Sequence, residues 1–434
     1  MNGLQKVGAD DGLTGGEGHP MMPAVELRLA LPLAIFAFTY FVFAVGNFPG
    51  LKLDRTGAAL AGGLLMVLSG SLSESKALAA IDFHTLLLLL GMMIIVANLR
   101  ISGAFALVAR WLLERAHSGY GLLAMTVLAS GVLAAFFIND VVCLSLAAPL
   151  IEVARILEID AAPLLLALAT GSNIGSVATI TGNPQNMIVA GFAGIGYSAF
   201  AMRLAPVALM GLLADYAVIG WLYRGRLRRI RRRDDLTLPG PPPEHRHHLA
   251  KSSIVAAAVL VLFALGYPPH LVALGGGAAL LFTRRTLPHL IYEQIDWTLL
   301  VMFAGLFIVV KGAETAGLQT YLVRAAGPDR LKNIAVLSVV AAVLSNLVSN
   351  VPAVLLFKPI YPQIRQGMST ALVLASASTF AGNLTLLGSI ANLIVIEQAR
   401  RAGIEIGFVD YLKVGLPVTI ITLAIDIAWL QLFR

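Results

Sequence analysis

An all-α polytopic membrane fold, built as an inverted repeat of two five-span halves, is what this sequence predicts. Three observations carry the prediction: an apolar, charge-poor composition, apolar runs of span length from end to end, and an internal repeat. The 434 residues are 58% hydrophobic and 13% charged, about half the roughly 25% charged share of a soluble chain. Their mean hydropathy is +0.83. Runs of this kind read as membrane crossings, which excludes a soluble enzyme or a disordered chain. One cysteine, Cys143, excludes an internal disulfide and a multi-thiolate metal site. There is no G-x-x-x-x-G-K-[ST] loop, so nucleotide hydrolysis by that route is excluded too. A secondary transporter, a channel or a membrane-embedded enzyme remains.

The net charge of +7 is unevenly spread. Arg224 to Lys251 reads RGRLRRIRRRDDLTLPGPPPEHRHHLAK, a basic linker that the positive-inside rule places in the cytoplasm. An arginine run also suits nucleic acid, but a loop tethered between spans argues against that partner. Residues 1–26 are polar, Gly-rich and slightly acidic, with no positive segment ahead of the first span. This is no cleaved signal peptide and places the N-terminus outside. The expected organisation is therefore an extracytoplasmic tail 1–26, a first repeat 27–224, a linker 225–250 and a second repeat 251–434.

From that anchor the first half reads as spans near 27–48, 56–72 and 82–99. A short amphipathic helix follows at 103–116, then apolar arms 120–138 and 141–157, a broken span 162–203 and a final span 204–223. The second half repeats the order as 252–267, 270–283, 294–311, a short helix 317–326, arms 333–348 and 351–364, a broken span 370–399 and a final span 411–433. Residues 81–110 align without gaps on 295–324, matching Ile81, Asp82, Leu86, Gly91, Ile94, Val96, Gly103 and Arg110 with Ile295, Asp296, Leu300, Gly305, Ile308, Val310, Gly317 and Arg324. Thr179, Gly182 and Asn186 share a T-x-x-G-x-x-x-N spacing with Thr385, Gly388 and Asn392, and Asp215 is matched by Asp426. Five crossings per half is odd, so the halves are inverted and both termini lie outside. Lys52, Arg55, Arg100, Arg110, Arg115, Arg155, Arg284, Arg285, Arg400, Arg401 and Lys413 then fall inside; Arg330, Lys332 and Arg365 fall outside against the rule. Inverted repeats with interrupted helices are transporter architecture, whereas a channel repeats a pore loop.

Polar residues interrupt each half twice. Asn139-Asp140 separates the first pair of arms and Ser349-Asn350 the second, so each arm–tip–arm unit reads as a re-entrant hairpin. Irregular backbone at that depth survives only inside protein or beside a wet cavity. The broken spans carry GSNIGSVATITGNPQN, with Asn173, Thr179, Gly182, Asn183 and Asn186, and TFAGNLTLLGSIAN, with Thr385, Gly388 and Asn392. Gly and Pro end the helices there, and the exposed helix ends offer amides and carbonyls to a small solute. Each Ser, Thr or Asn alone could simply glue helices together. Four clusters in two matched pairs favour a binding site at the membrane midplane.

At these residues the chain resembles the ion-transporter superfamily. That group includes arsenite efflux permeases, NhaD-type sodium–proton antiporters, plant silicon effluxers and divalent-anion:sodium symporters. The tip Asn139-Asp140 in FFINDVVCLSLAAPL is most similar to the arsenite permease pattern, and GNPQN resembles the silicon-effluxer variant. Divalent-anion symporters resemble Ser-Asn-Thr at both tips; here Val351 replaces the threonine and Asn139-Asp140 replaces Ser-Asn. The resemblance implies an elevator-type transporter. Hairpins and broken spans would form its mobile part and the other spans a homodimeric scaffold in the cell (inner) membrane. An ATPase subunit accompanies some such permeases.

An ionised carboxylate within the membrane costs roughly 2.5–3.5 kcal/mol and marks ion or proton pathways. Asp140 therefore reads as a proton-coupling residue, as a helix cap or as a sodium ligand. Asp215 and Asp426 read as alternative proton carriers or as a structural pair across the repeat. Cys143 as an arsenic ligand lacks the partners such a site needs and reads better as a small hydrophobe. Lys358 reads as snorkelling, Lys311 and Glu314 as outer-interface residues, and His245, His247 and His248 as solvated. The expectation is a secondary transporter exporting a metalloid oxyacid, arsenite or antimonite, by proton antiport, with no cofactor and no metal. The alternatives are a small-anion, carboxylate or sulfate symporter and a sodium–proton antiporter.

Overall fold

A computed structural model describes residues 22–46, 52–227, 246–282, 288–321 and 327–432. The polar tail to residue 21, most of the basic linker with His245, and Arg284, Arg285 and Arg324 lie outside the described residues, as does the end of the expected short helix 317–326. Every regular element described is a helix. In the first half these are α1 Met22–Val45, α2 Arg55–Leu68, α3 Glu74–Ala80, α4 Phe83–Ile101, α5 Ala104–Arg115, α6 Gly119–Phe136, α7 Asn139–Ile156, α8 Ala162–Ser176, α9 Pro184–Ala193 and α10 Tyr197–Leu222. In the second half those of five residues or more are α11 Arg246–Ala264, α12 Pro269–Leu281, α13 Pro288–Tyr292, α14 Trp297–Thr315, α15 Ile334–Val348, α16 Asn350–Phe357, α17 Ser369–Ala381, α18 Ile390–Arg401 and α19 Phe408–Leu432.

Two residues aligned from sequence cap helices in the same way. Asp82 caps α4 by accepting from the Thr85 amide, and Asp296 caps α14 by accepting from the Leu299 amide. The halves pack crosswise, α12 on α4 and α2 on α14. At the crossings stand the aligned glycines. A Cβ on Gly91 would lie 2.4 Å from the Ala273 carbonyl carbon, and one on Gly305 2.5 Å from the Ala59 carbonyl oxygen. Small residues at such crossings let membrane helices approach backbone to backbone.

Among the described residues, six helices are long and apolar enough to cross a membrane alone: α4, α6, α10, residues 247–264 of α11, α14 and α19. α2, α12, α15 and α17 are apolar but hold only 13 to 15 residues each, and at 1.5 Å per residue they fall short of a ~30 Å hydrocarbon core. The exposed leucines of α2, Leu60, Leu64 and Leu68, form an apolar outer face suited to lipid. The centre is formed by α8 and α17: all residues of α17 and all but Ala162 of α8 are buried.

Boundaries shift where local chemistry overrides the apolar pattern. The last span of the first half begins at Tyr197, earlier than 204, because Gly194, at φ +68°, ends α9 and frees the chain to restart. The arm expected over 351–364 ends at Phe357, and a separate turn of helix covers Tyr361–Ile364; Pro359 and Pro362 lack the amides a continuous helix would need. His248 is not solvated. It lies within α11, is buried, and its Nε2 is 3.0 Å from Asn98 Oδ1 on α4.

Candidate functional site

The hairpin tips are helix starts. In the first hairpin, Phe137 is extended and Asn139-Asp140 open α7. In the second, Ser349 holds φ +75°, a left-handed conformation that a side chain rarely adopts, and Asn350 opens α16. Ser345 donates from its hydroxyl to Asn350 Oδ1 at 2.6 Å, which fixes the tip.

The broken spans are each a helix, a 3₁₀ turn (Ile180–Gly182 or Leu386–Gly388) and a second helix. An asparagine braces each break in the same way. Asn186 Nδ2 donates to the carbonyls of Ser176 (2.9 Å) and Thr179 (2.8 Å). Asn392 Nδ2 donates to those of Gly382 (2.8 Å) and Thr385 (3.2 Å). These are carbonyls that a helix end leaves without intrahelical donors. Gly182 and Gly388 press against the carbonyls of residues 176 and 382, where a Cβ would stand within 2.1 and 2.8 Å. Asn183 caps α9 by accepting from the Asn186 amide and donates to Ser176 Oγ. Thr179 donates to the Ala135 carbonyl.

Asn173 joins the two halves. Its Oδ1 accepts from Asn139 Nδ2 at 2.8 Å and Ser389 Oγ at 3.1 Å, and its Nδ2 donates to Asn383 Oδ1 at 2.8 Å and Asn392 Oδ1 at 3.0 Å. The network is neutral and, at Asn173, fully satisfied, so it rigidifies without burying charge.

In front of this network lies a cavity of about 60 Å³ walled by both tips and both breaks: Asn139, Asp140, Ser349, Asn350 and Val351, then Pro184, Gln185, Ser389 and Ile390. Phe43 of α1, Arg55 of α2 and Leu299, Met302 and Phe303 of α14 close it. Of the residues singled out from sequence, Asn139, Asp140, Ser349 and Asn350 face the cavity. Asn173, Thr179, Gly182, Asn183, Asn186, Thr385, Gly388 and Asn392 stand behind it as its frame. Sequence reasoning missed Arg55, Gln185, Asn383 and Ser389. Gln185 had a signal, a polar residue just after the proline that starts a half-helix.

The other carboxylates lie elsewhere. Asp215 and Asp426 are fully buried and neither lines the cavity. Asp426 accepts from Ser376 Oγ at 2.7 Å within its own half, and both Asp215 oxygens lack a hydrogen-bond partner, so no bond pairs the two. Cys143 is buried with its Sγ 3.0 Å from Ser172 Oγ, outside the cavity wall. Lys358 packs its Nζ 5.5 Å from the centre of the Phe307 ring, beside a separate cavity that Lys311 and Glu314 also line.

A cavity at two helix starts and two helix breaks is transporter geometry, and comparison with known proteins agrees. Residues 38–377 match the model of the citrate transporter family, CitMHS. The chain belongs to that family. It is 30% identical to the silicon efflux transporter LSI3 of Oryza sativa subsp. japonica, over 92% of this chain and 97% of that one. It is 24% identical to the putative transporter arsB of Dictyostelium discoideum, over 87% of each. The solved structure of the YdaH transporter of Alcanivorax borkumensis superposes with a TM-score of 0.61 over 95% of this chain and 98% of that one, at 14% identity, a likeness of fold. The CitMHS chain described here is thus a multi-pass membrane transporter.

Proposed function

We propose that this chain is a secondary transporter that exports a small, uncharged, hydroxyl-rich oxyacid of the arsenous, antimonous or silicic acid class, in exchange for protons carried by Asp140. The observation that carries the reading is the cavity. Its volume of about 60 Å³ is room for about two waters at ~30 Å³ each, a scale that suits a hydroxylated central atom. Its polar wall consists of amides, hydroxyls, one carboxylate and one guanidinium, the mixed donors and acceptors that several O–H groups need. The silicon efflux activity named for the rice relative points the same way.

The two halves act in this reading as inverted repeats, with the hairpins and broken spans, tied through Asn173, moving as one body in an elevator. A homodimeric scaffold would hold the moving body in the cell membrane. Asp140 is the coupling residue because it alone of Asp140, Asp215 and Asp426 faces the cavity.

The test is uptake of labelled arsenous acid into proteoliposomes with an acid interior and no sodium, competed by antimonite, silicic acid or citrate. Uptake should follow the pH gradient and yield to the oxyacids alone. Asp140→Asn should keep binding and lose gradient-driven flux; full pH-driven transport by that variant overturns the coupling role. Arg55 and the family description favour a second reading, a citrate or small-anion symporter, which sodium-driven citrate flux would establish.

A further inference from the structure

We infer that the groove between the start of α6 and the end of α10 is a binding site for the headgroup of an anionic phospholipid. The inference rests on the chain spanning a membrane, but not on which solute it carries.

The groove has a volume of about 280 Å³ and is lined by Tyr120 of α6, by Tyr216, Ala217, Gly220 and Trp221 of α10, and by Arg224 just beyond that helix. Its depth in the membrane follows from the length of α10. Twenty-six residues at 1.5 Å each reach about 39 Å, longer than a ~30 Å hydrocarbon core. Trp221 and Arg224 stand at the end of that reach. Trp221 is 67% exposed, and Trp and Tyr collect at headgroup level, where the ring lies against lipid and its polar edge meets water. A Cβ on Gly220 would stand 3.6 Å from the Tyr120 ring, so this glycine leaves the space that a larger side chain would take.

The polar groups of the groove are not used within the protein. Arg226 pairs with Asp160 at 2.7 Å, whereas the exposed Arg224 guanidinium makes neither an ion pair nor a hydrogen bond among the described residues. The Tyr120 and Tyr216 hydroxyls make no hydrogen bond among them either. No carboxylate lines the groove. A cation near a helix C-terminus is favoured in any case; that accounts for the charge of Arg224, but not for the two phenols and the indole gathered beside it.

A planar guanidinium and two hydroxyls offer a phosphate diester the donors that its oxygens take up. Charge then selects among phospholipids. Seven of the ten residues 224–233 are arginine, and a basic run directly after a span draws anionic lipid. The same run opposes a headgroup that brings its own cation, although aromatic rings by themselves suit a choline.

The test uses the full chain in detergent, reading the rise in melting temperature as phosphatidylglycerol, phosphatidylcholine or inorganic phosphate is added at constant ionic strength. Phosphatidylglycerol should act at a concentration about fivefold or more below phosphatidylcholine, and inorganic phosphate should have no effect at that concentration. Arg224→Gln, at an exposed position, should raise the phosphatidylglycerol concentration needed by about fivefold, and Arg224→Lys by less. Arg228→Gln, Arg229→Gln, Arg231→Gln, Arg232→Gln and Arg233→Gln together should weaken the response less than Arg224→Gln alone. Equal action of phosphatidylcholine overturns the anionic headgroup, and equal action of inorganic phosphate overturns a lipid as the ligand. An Arg224→Gln protein as responsive as wild type, or less affected than the protein with the five linker substitutions, overturns the site itself, because the basic run would then act without the groove.

Discussion

Each polar side chain in the membrane has to satisfy its own hydrogen bonds or face water, and this divides the asparagines of the chain by role. Asn186 and Asn392 spend their amides on carbonyls at the breaks, whereas Asn139 and Asp140 open a helix onto the cavity. Asn186→Ala should therefore lower stability by about 1–3 kcal/mol, the cost of leaving buried acceptors without a donor. Any surviving folded protein should transport with an unchanged pH profile. Asp140→Asn should do the reverse, melting as wild type does but losing pH-driven flux. Thermal unfolding and transport measured on both proteins check the contrast, and a shared phenotype would contradict it.

At the scale of the element, the constraint is backbone geometry. Ser349 carries a left-handed φ at the second tip, a conformation that costs a non-glycine residue about 1–3 kcal/mol. Ser349→Gly should recover part of that and raise the melting temperature. If the conformation serves to hold the tip, transport should slow despite the gain. Gly91→Ala and Gly305→Ala should both collapse folded yield, because each Cβ meets the backbone of a crossing helix; normal yield from either would contradict the close crossing. These elements also mark how far the sequence could be read. The helix starts at the tips and the two breaks were legible because Gly, Pro, Asn and Asp interrupt apolar runs there. The end of α16 was missed because an apolar run hid what Pro359 and Pro362 do to helix continuity. Arg55 was read only as a loop charge: the charge rule that orients a chain does not say which arginine folds back onto a cavity. Asn173 was legible as polar, but its bonds to Asn383, Asn392 and Ser389 join residues more than two hundred positions apart, and no local pattern encodes them.

On the scale of the whole molecule, the packing separates two groups. α1, α2, α4, α12 and α14 interlock through the crosswise pairs, while α7, α8, α17 and α18 are tied through Asn139, Asn173, Asn383 and Asn392. The cavity lies where the groups meet, since α1, α2 and α14 close one side and the tips and breaks the other. A specific bridge across that boundary is the Tyr40 hydroxyl of α1, which donates to the Pro352 carbonyl of α16 at 3.0 Å. If transport moves one group against the other, this bond breaks in each cycle. Tyr40→Phe should then leave folding nearly intact and change the transport rate. Joining cysteines at positions 40 and 352 with a short thiol-reactive linker, in a Cys143→Ala background, should arrest flux until the linker is reduced. Undiminished flux through the linked protein would mean that α1 and α16 travel together, and that the solute passes without relative motion of the two groups.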